Sequence, residues 1–150
     1  MLQLANIHKT FFTGTVNEKK ALAGIDLHLK PGDFVTVIGS NGAGKSTLLN
    51  ICAGRLQADE GSMAINGENV AKMTEHERAR YIGRVFQDPM AGTSPSMTIE
   101  ENLSLALQRG KRRTLRLGVT KKKRDFFREQ LALLELGLED RLKSKVGLLS

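Results

Sequence analysis

The sequence predicts an α/β fold, and two features of its first half support this prediction. Short apolar or alternating runs typical of β-strands are interspersed with helical patterns, whereas the second half is mostly helical. One β-rich run, Phe34–Ile38, leads directly into a glycine-rich loop, and a helical pattern begins at Ser46. A strand, a glycine-rich loop and a helix in this order are typical of folds that bind an anion at a helix N-terminus.

Five stretches predict β-strands, because they alternate or are rich in apolar and β-branched residues. They are residues 2–7, Ala21–Leu29, Phe34–Ile38, Ser62–Ile65 and Tyr81–Phe86. The polar residues 14–20 predict a loop before the second of these strands. Phe34–Ile38 is apolar apart from one threonine, so we expect it to be a buried central strand. Asn66 and Gly67, which follow the fourth stretch, predict a hairpin turn.

Four helices are predicted from periodicity together with start and stop signals. They cover Ser46–Ala53, residues 75 to about 80, residues 99 to about 109, and residues 121 to about 136. Two of them begin with the pattern of a capping box, formed by Thr74 with Glu77 and by Thr98 with Glu101. Gly54 supplies a stop signal after the first helix.

Composition narrows the class of protein. A chain of 150 residues, with 40% hydrophobic and 26% charged residues, has the usage of one ordinary globular domain and not of a disordered or collagen-like chain. No run of about 18 apolar residues predicts a membrane span, and the N-terminus lacks the pattern of an export signal. The single cysteine, Cys52, excludes an internal disulfide and fits a reducing compartment, so we expect it to be a small core residue.

The strongest motif is Gly39–Ser46, which matches G-x-x-x-x-G-K-[ST] at every fixed position. A small glycine-rich loop lets backbone N–H groups approach phosphate oxygens closely, and the helix dipole adds to the attraction. Lys45 supplies a mobile positive charge for the β- and γ-phosphates, and Ser46 offers its hydroxyl to Mg²⁺. Thr47 can donate on the α-phosphate side. The predicted phosphate-binding residues are Gly39, Ser40, Asn41, Gly42, Ala43, Gly44, Lys45, Ser46 and Thr47, which we call the P-loop.

The P-loop alone is shared by GTPases, kinases, helicases, motor ATPases and transport ATPases. The chain contains no guanine-reading N-K-x-D, and further motifs point to one class. Its whole length resembles the nucleotide-binding subunit of ABC-type ATPases. The residues of the P-loop are typical of that family. Gly61–Gly67 resembles its β-hairpin, and Met97–Leu103 resembles the start of its helical subdomain. Leu149 and Ser150 match the first two residues of its Leu-Ser-Gly-Gly-Gln signature.

The resemblance also implies roles for residues outside the P-loop. Phe11 lies where the family has an aromatic side chain that stacks on adenine, and Phe12 is an alternative for that role. Gln87 matches the family's Q-loop glutamine, which reaches Mg²⁺ and the attacking water, and it is therefore the predicted catalytic residue. Ser46 and Gln87 are the predicted metal ligands, and ATP and Mg²⁺ are the expected cofactors.

The fold implied by the resemblance is an ABC-type P-loop NTPase core with an antiparallel β-subdomain and the start of a helical subdomain. Residues 1–88 would form the core, and residues 89–150 the Q-loop exit and a partial helical subdomain. In the family, the remaining hydrolytic motifs follow the signature, so we expect this apparently incomplete chain to bind ATP without turnover. We also expect marginal stability, since Phe34–Ile38 would lack neighbouring parallel strands.

The function implied is that of an ATP-binding subunit that couples ATP to solute transport, with wording closest to bacterial importers of small solutes such as amino acids. Its expected partners are a transmembrane permease subunit and a second ATP-binding subunit, at the cytoplasmic face of the cell membrane. A nucleic-acid-associated ABC ATPase is the alternative, because the net charge of +7 is concentrated around residues 109–128. Those charges fit an anionic membrane surface better than they fit nucleic acid, and they fit a solvated surface of the subdomain best. A fragment without a function is a third reading.

Overall fold

A computed structural model describes residues 1–111 and 118–149 of the chain. The chain forms two compact units, residues 1–82 and 83–150. The resemblance implies a division after Asp88 instead, and that division stays a prediction. Within the described residues, no helix is both long enough and apolar enough to cross a membrane.

The first unit is built on a four-stranded antiparallel sheet with the strand order β2-β1-β3-β4. The strands are β1 (Leu2–Phe11), β2 (Lys19–Leu29), β3 (Glu60–Ile65) and β4 (Glu68–Asn69). The turn between β3 and β4 confirms the predicted hairpin, since Asn66 and Gly67 both have the positive φ, 52° and 82°, that a type I′ turn requires.

Helix α1 (Lys45–Ala53) packs on this sheet and completes the core of the first unit. Leu48 and Ile51 of the helix are buried with side chains from the strands and from the segment after β4. The buried core residues are Leu4, Ile7, Leu22, Leu48, Ile51, Met63, Ile65 and Val70. Cys52 is half-buried and packs against this cluster, as predicted. Gly54 ends the helix in the left-handed region, and its N–H donates to the Asn50 and Ile51 carbonyls.

Two predicted strands are absent from the described structure. Phe34–Ile38 and Tyr81–Phe86 have no strand hydrogen bonding, so the prediction of a buried central strand at residues 34–38 is wrong. Phe34 is 94% exposed and Ile38 is 89% exposed. A strand needs a partner for its backbone groups, and no strand of the described residues pairs with either segment. An apolar composition therefore did not produce a strand here.

The helices that follow confirm both capping boxes. Helix α2 (Glu75–Arg78) begins after Thr74, whose backbone N–H donates to the Glu77 carboxylate at 2.7 Å. Helix α3 (Ile99–Leu107) begins after Thr98, whose backbone N–H donates to the Glu101 carboxylate at 2.7 Å. Both helices end about two residues earlier than the sequence predicted.

The second unit packs α3 against helix α4 (Lys121–Ala132), and α4 against the 3₁₀ turn Glu139–Arg141. Two further 3₁₀ turns are Pro89–Gly92, before α3, and Val146–Leu148. Ile99, Phe127, Leu131 and Leu142 form its buried core. The predicted continuation of α4 to residue 136 is wrong, because the helix ends at Ala132 and Leu133, Leu134 and Leu136 are exposed. Residues 112–117 of the basic segment and Ser150 of the predicted signature lie outside the described residues.

A candidate phosphate-binding site at the start of helix α1

The P-loop turns sharply into the first turn of α1. The Ala43 N–H donates to the Ser40 carbonyl at 3.2 Å, and the Leu48 N–H donates to the Gly44 carbonyl at 2.9 Å, which begins the helix. Gly42 and Gly44 have φ values of 83° and 88°, which L-residues with a side chain rarely adopt. The two glycines therefore allow the backbone to fold around the N-terminus of α1.

The position of Gly44 against β2 leaves no room for a side chain. A Cβ atom at residue 44 would lie 2.4 Å from the Ala21 carbonyl oxygen and 3.0 Å from Cδ2 of Leu22. Backbone atoms of β2 thus lie directly against the residue that caps α1. This contact fixes the helix N-terminus relative to the sheet.

The helix N-terminus attracts anions. The first amides of an α-helix have no carbonyl partner within the helix, and they carry the positive end of its dipole. In α1 the capping residue is a glycine, and the first turn contains no acidic residue. The amides of this turn are therefore available to an anion.

The ammonium group of Lys45 lies over the same loop. Its Nζ donates to the Gly39 carbonyl at 2.6 Å and to the Ser40 carbonyl at 2.7 Å. Both acceptors are neutral, whereas a phosphate oxygen would make a stronger, charge-assisted hydrogen bond. The side chain is thus held in the loop in a position from which it can transfer to an anion.

A cavity of about 280 Å³ opens beside the P-loop. Its walls come from the P-loop and from the facing ends of β1 and β2. The lining residues are Phe11, Lys19, Ala21, Asn41, Gly42, Ala43, Gly44, Lys45, Ser46 and Thr47. The structure therefore brings Phe11 together with most of the predicted phosphate-binding residues. Phe12, the alternative, is 69% exposed and is not part of this lining, although its ring centroid lies 6.5 Å from that of Phe11.

Ser46 and Thr47 both lie in the first turn of α1 and line the cavity. The Ser46 side chain is exposed, so its hydroxyl oxygen is accessible to a cation. Mg²⁺ prefers oxygen ligands and commonly takes one or two from the protein and the rest from phosphate and water. Within the described residues, no cluster of three His, Cys, Asp or Glu side chains could hold a metal. A single hydroxyl beside a phosphate site fits Mg²⁺ bound together with a nucleotide.

Gln87, the predicted catalytic residue, belongs to the second unit and is exposed. Its neighbour Asp88 caps the 3₁₀ turn Pro89–Gly92 by accepting the Met90 N–H at 2.9 Å. On its other side, the Arg84 guanidinium lies 4.7 Å from the centroid of the Phe86 ring. Both neighbours are thus tied to local structure, while the role of Gln87 toward Mg²⁺ and water stays a prediction.

Sequence reasoning missed Lys19 as a cavity residue. The sequence pattern predicts Lys19 in the polar loop and a strand that begins at Ala21, whereas β2 begins at Lys19. Lys19 and Ala21 both line the cavity, although the register of β2 against β1 shifts at Ala21. The place of Lys19 in β2 depends on pairing with Phe11, so no local pattern in the sequence identified it.

Sequence reasoning also missed Arg78, which supports α1 from its other end. Arg78 is only 1% exposed, and burial lowers the pKa of its guanidinium. Its Nη1 donates to the Ile51 carbonyl at 2.5 Å and to the Cys52 carbonyl at 3.2 Å, and its Nη2 donates to the Ala71 carbonyl at 2.8 Å. A cation therefore lies at the negative end of the α1 dipole, opposite the P-loop.

The fold and the P-loop motif place the chain among α/β proteins with a P-loop, and sequence comparison gives its family. Residues 22–150 match the ABC transporter family, and the chain belongs to that family. The resemblance inferred from the sequence motifs is thereby confirmed.

The curated relatives include proteins that are named for transport, import or export. The tyrosine transport ATP-binding protein of Clostridioides difficile (strain R20291) is 42% identical over 111 residues, which are 74% of this chain and 44% of that protein. The ribose import ATP-binding protein RbsA of Bacillus subtilis is 35% identical over 91% of this chain and 26% of its own length. The bacitracin export ATP-binding protein BceA of Halalkalibacterium halodurans is 33% identical over 71% of this chain and 43% of its own length. The chain spans less than half of each of these relatives.

Two solved structures give the same picture of the fold. The ATP-binding cassette MJ0796, described as a dimer in a post-hydrolysis state bound to ADP and Pi, matches with a TM-score of 0.78 and 30% identity. A nucleotide-free ATP-binding cassette from an ABC transporter matches with a TM-score of 0.72 and 30% identity. Both matches cover all of this chain, and 63% and 59% of the respective neighbours. The predicted fold class is therefore confirmed.

Proposed function

We propose that the chain is the ATP-binding part of an ABC-type membrane transporter, and that it binds ATP at the P-loop. The observation that carries this proposal is the cavity in which the N-terminal amides of α1, the Lys45 ammonium and the Phe11 ring come together. An anion site beside an aromatic ring suits a ligand with a phosphate chain and a planar base.

Lys45 and the loop backbone would bind the phosphates. On binding, the Lys45 ammonium would leave the Gly39 and Ser40 carbonyls for oxygens of the β- and γ-phosphates. The amides of Gly44, Lys45 and Ser46 would donate to the same chain of phosphates. Because these donors are already oriented by the contact of Gly44 with β2, little ordering is needed on binding.

Different residues would contact the base and the metal. Phe11, whose ring lines the cavity, would stack on adenine, and its exposed neighbour Phe12 would not. Ser46 would hold Mg²⁺ through its hydroxyl, and the family resemblance implies that Gln87 reaches Mg²⁺ and the attacking water in the complete protein. When bound, Mg²⁺ would supply positive charge to the phosphate oxygens.

The proposed partners and solute are those of a complete transporter, of which this chain would be one part. A transmembrane permease subunit and a second ATP-binding subunit would complete the assembly at the cytoplasmic face of the cell membrane. An amino acid as the transported solute is supported by the relative named for tyrosine transport, and import is supported by the relative named for ribose import. Since the named relatives include both an import and an export protein, transport assays must decide the direction.

The contacts of the basic residues at the start of α4, in the second unit, argue against the alternative of a nucleic-acid-associated ATPase. Arg124 makes two hydrogen bonds to the Glu100 carboxylate, and the Lys123 Nζ donates to the Gly118 carbonyl at 2.5 Å. Half of the four consecutive basic residues of α4 therefore stabilise the unit itself. Lys121 and Lys122 are the two that remain exposed.

Nucleotide binding tests the proposal directly. A fluorescent ATP analogue with Mg²⁺ would be titrated into the parent chain and into the variant Lys45→Ala. Loss of charge-assisted hydrogen bonds should weaken binding by at least about tenfold. Lys30→Ala is the matched control, because Lys30 is exposed and lies outside the cavity lining. Equal binding by the parent and Lys45→Ala would refute the P-loop assignment.

A further inference from the structure

We propose that Lys19 is a second cationic ligand of the nucleotide, which contacts the phosphate chain from β2. The proposal rests on the proposed function, since it assumes that the P-loop binds a nucleoside polyphosphate. It adds a residue that lies outside the P-loop motif and that the sequence analysis assigned to a loop.

The register of the sheet gives Lys19 its position. Lys19 is the first residue of β2 and is paired directly with Phe11, the last residue of β1. Directly paired residues in an antiparallel ladder have Cβ atoms about 4.5–5.5 Å apart. The backbone of Lys19 therefore stands beside the proposed platform for the base.

The side chain of Lys19 extends from this position to the P-loop. Its Nζ lies 3.2 Å from the point that a Cβ atom of Gly42 would occupy. Because residue 42 has no side chain, the ammonium group can lie close to the loop backbone. One lysine side chain thus connects the aromatic end of the cavity with its phosphate end, a path that the sugar and phosphates of a nucleotide would follow.

Within the part of the chain that the structure describes, no carboxylate neutralises the charge of Lys19. Among residues 1–111 and 118–149, Lys19 has neither an ion pair nor a side-chain hydrogen bond. Lys9, another lysine close to Phe11, differs in this respect because its Nζ binds the Asp59 carboxylate at 2.5 Å. Lys19 is therefore the lysine of this pair that is available to a ligand.

The surroundings of Lys19 call for an anion. Among the described residues, those that line the cavity include two lysines, Lys19 and Lys45, and the positive end of α1, but no carboxylate. Like charges brought together at one site repel each other, and a polyphosphate anion would turn this repulsion into attraction. The same site with only one cation would bind a polyphosphate less tightly.

The test compares nucleotides in competition with the fluorescent ATP analogue, using purified Lys19→Met, Lys19→Arg and Lys20→Met. Lys19→Met should weaken binding of MgATP and MgADP by about tenfold, the loss of one charge-assisted hydrogen bond, while its affinity for adenosine is unchanged. The difference between parent and Lys19→Met should shrink at high ionic strength. Lys19→Arg keeps the charge and should bind like the parent. Lys20→Met removes the neighbouring charge, which lies outside the cavity lining, and should also bind like the parent.

Each outcome separates the two proposals. If the parent does not bind ATP, the proposed function and the role of Lys19 both fail. If Lys45→Ala weakens binding but Lys19→Met does not, the proposed function stands and the role of Lys19 is refuted. If Lys19→Met weakens binding of adenosine as much as that of ATP, Lys19 acts through the Phe11 platform and not on the phosphates. Circular dichroism of Lys19→Met, with Lys19→Arg as the conservative variant, checks that the fold is kept.

Discussion

Replacing Arg78 with methionine should destabilise the first unit, because Arg78 joins the end of α1 to the segment that follows β4. The guanidinium is buried and donates to the carbonyls of Ile51, Cys52 and Ala71. Methionine keeps most of the aliphatic length of the side chain and removes all of its donors. The substitution therefore isolates the hydrogen bonds from the packing.

The size of the destabilisation depends on which of the three carbonyl groups keep another hydrogen-bond donor when Arg78 is replaced. The Ile51 carbonyl also accepts the Gly54 N–H at 3.1 Å, so it retains a partner, whereas the Cys52 and Ala71 carbonyls lose the donor that Arg78 supplies. A buried acceptor without a partner costs about 1–3 kcal/mol. Removing a desolvated charge returns part of this cost. We expect a net loss of about 2 kcal/mol in the free energy of unfolding.

Urea unfolding followed by circular dichroism measures this loss as a shift of the midpoint. Arg80→Met is the matched control, since Arg80 is about half exposed and makes a surface ion pair with Glu68 at 3.0 Å. An exposed ion pair contributes about 0–1 kcal/mol, so the control should shift the midpoint little. The reasoning is refuted if Arg78→Met unfolds at the same urea concentration as the parent, or if both variants lose the same stability.

Three further predictions concern Gly44, Phe11 and Glu100. Gly44→Ala should abolish ATP binding and lower the melting temperature, because the new Cβ would meet the Ala21 carbonyl. The control is Gly67→Ala, at a position with a similar φ and open space around it. This variant should lose only about 1 kcal/mol of folding stability and should bind ATP normally. Phe11→Ala should weaken ATP binding up to about tenfold in the same titration, and Phe12→Ala should not. Hydrogen bonds from Arg124 hold the pKa of Glu100 below its usual 4.5, so the carboxylate's contribution to stability is complete above pH 4.5 and is lost as the pH falls through the lower folded-state pKa. Melting curves against pH should show this acid loss, and Glu100→Gln should remove it.

The features that the sequence predicted correctly are encoded within a few neighbouring residues. Thr98 and Glu101 are three positions apart and cap each other without help from the rest of the fold. Asn66 and Gly67 determine a turn through their own backbone preferences. The P-loop likewise depends on local glycines, so its position at the start of α1 followed from the motif.

The features that the sequence did not predict depend on distant residues. Phe34–Ile38 has the composition of a strand, but a strand forms only where another strand supplies hydrogen-bond partners. The start of β2 at Lys19 is set by pairing with Phe11, which no local pattern contains. Arg78 is buried because its acceptors include the Ile51 carbonyl, 27 residues away. A charged residue in a short helix gives no sign of such burial.

The central claim is that the N-terminus of α1 binds the phosphates of a nucleotide. The most direct measurement is a titration of the ¹⁵N-labelled chain with MgADP, followed by the chemical shifts of its backbone amides. We predict that the largest changes occur at Gly42, Gly44 and Ser46, while the amide of Gly67 in the hairpin turn is unaffected. Unchanged amides in the P-loop at saturating nucleotide, or changes centred on α4, would contradict the claim.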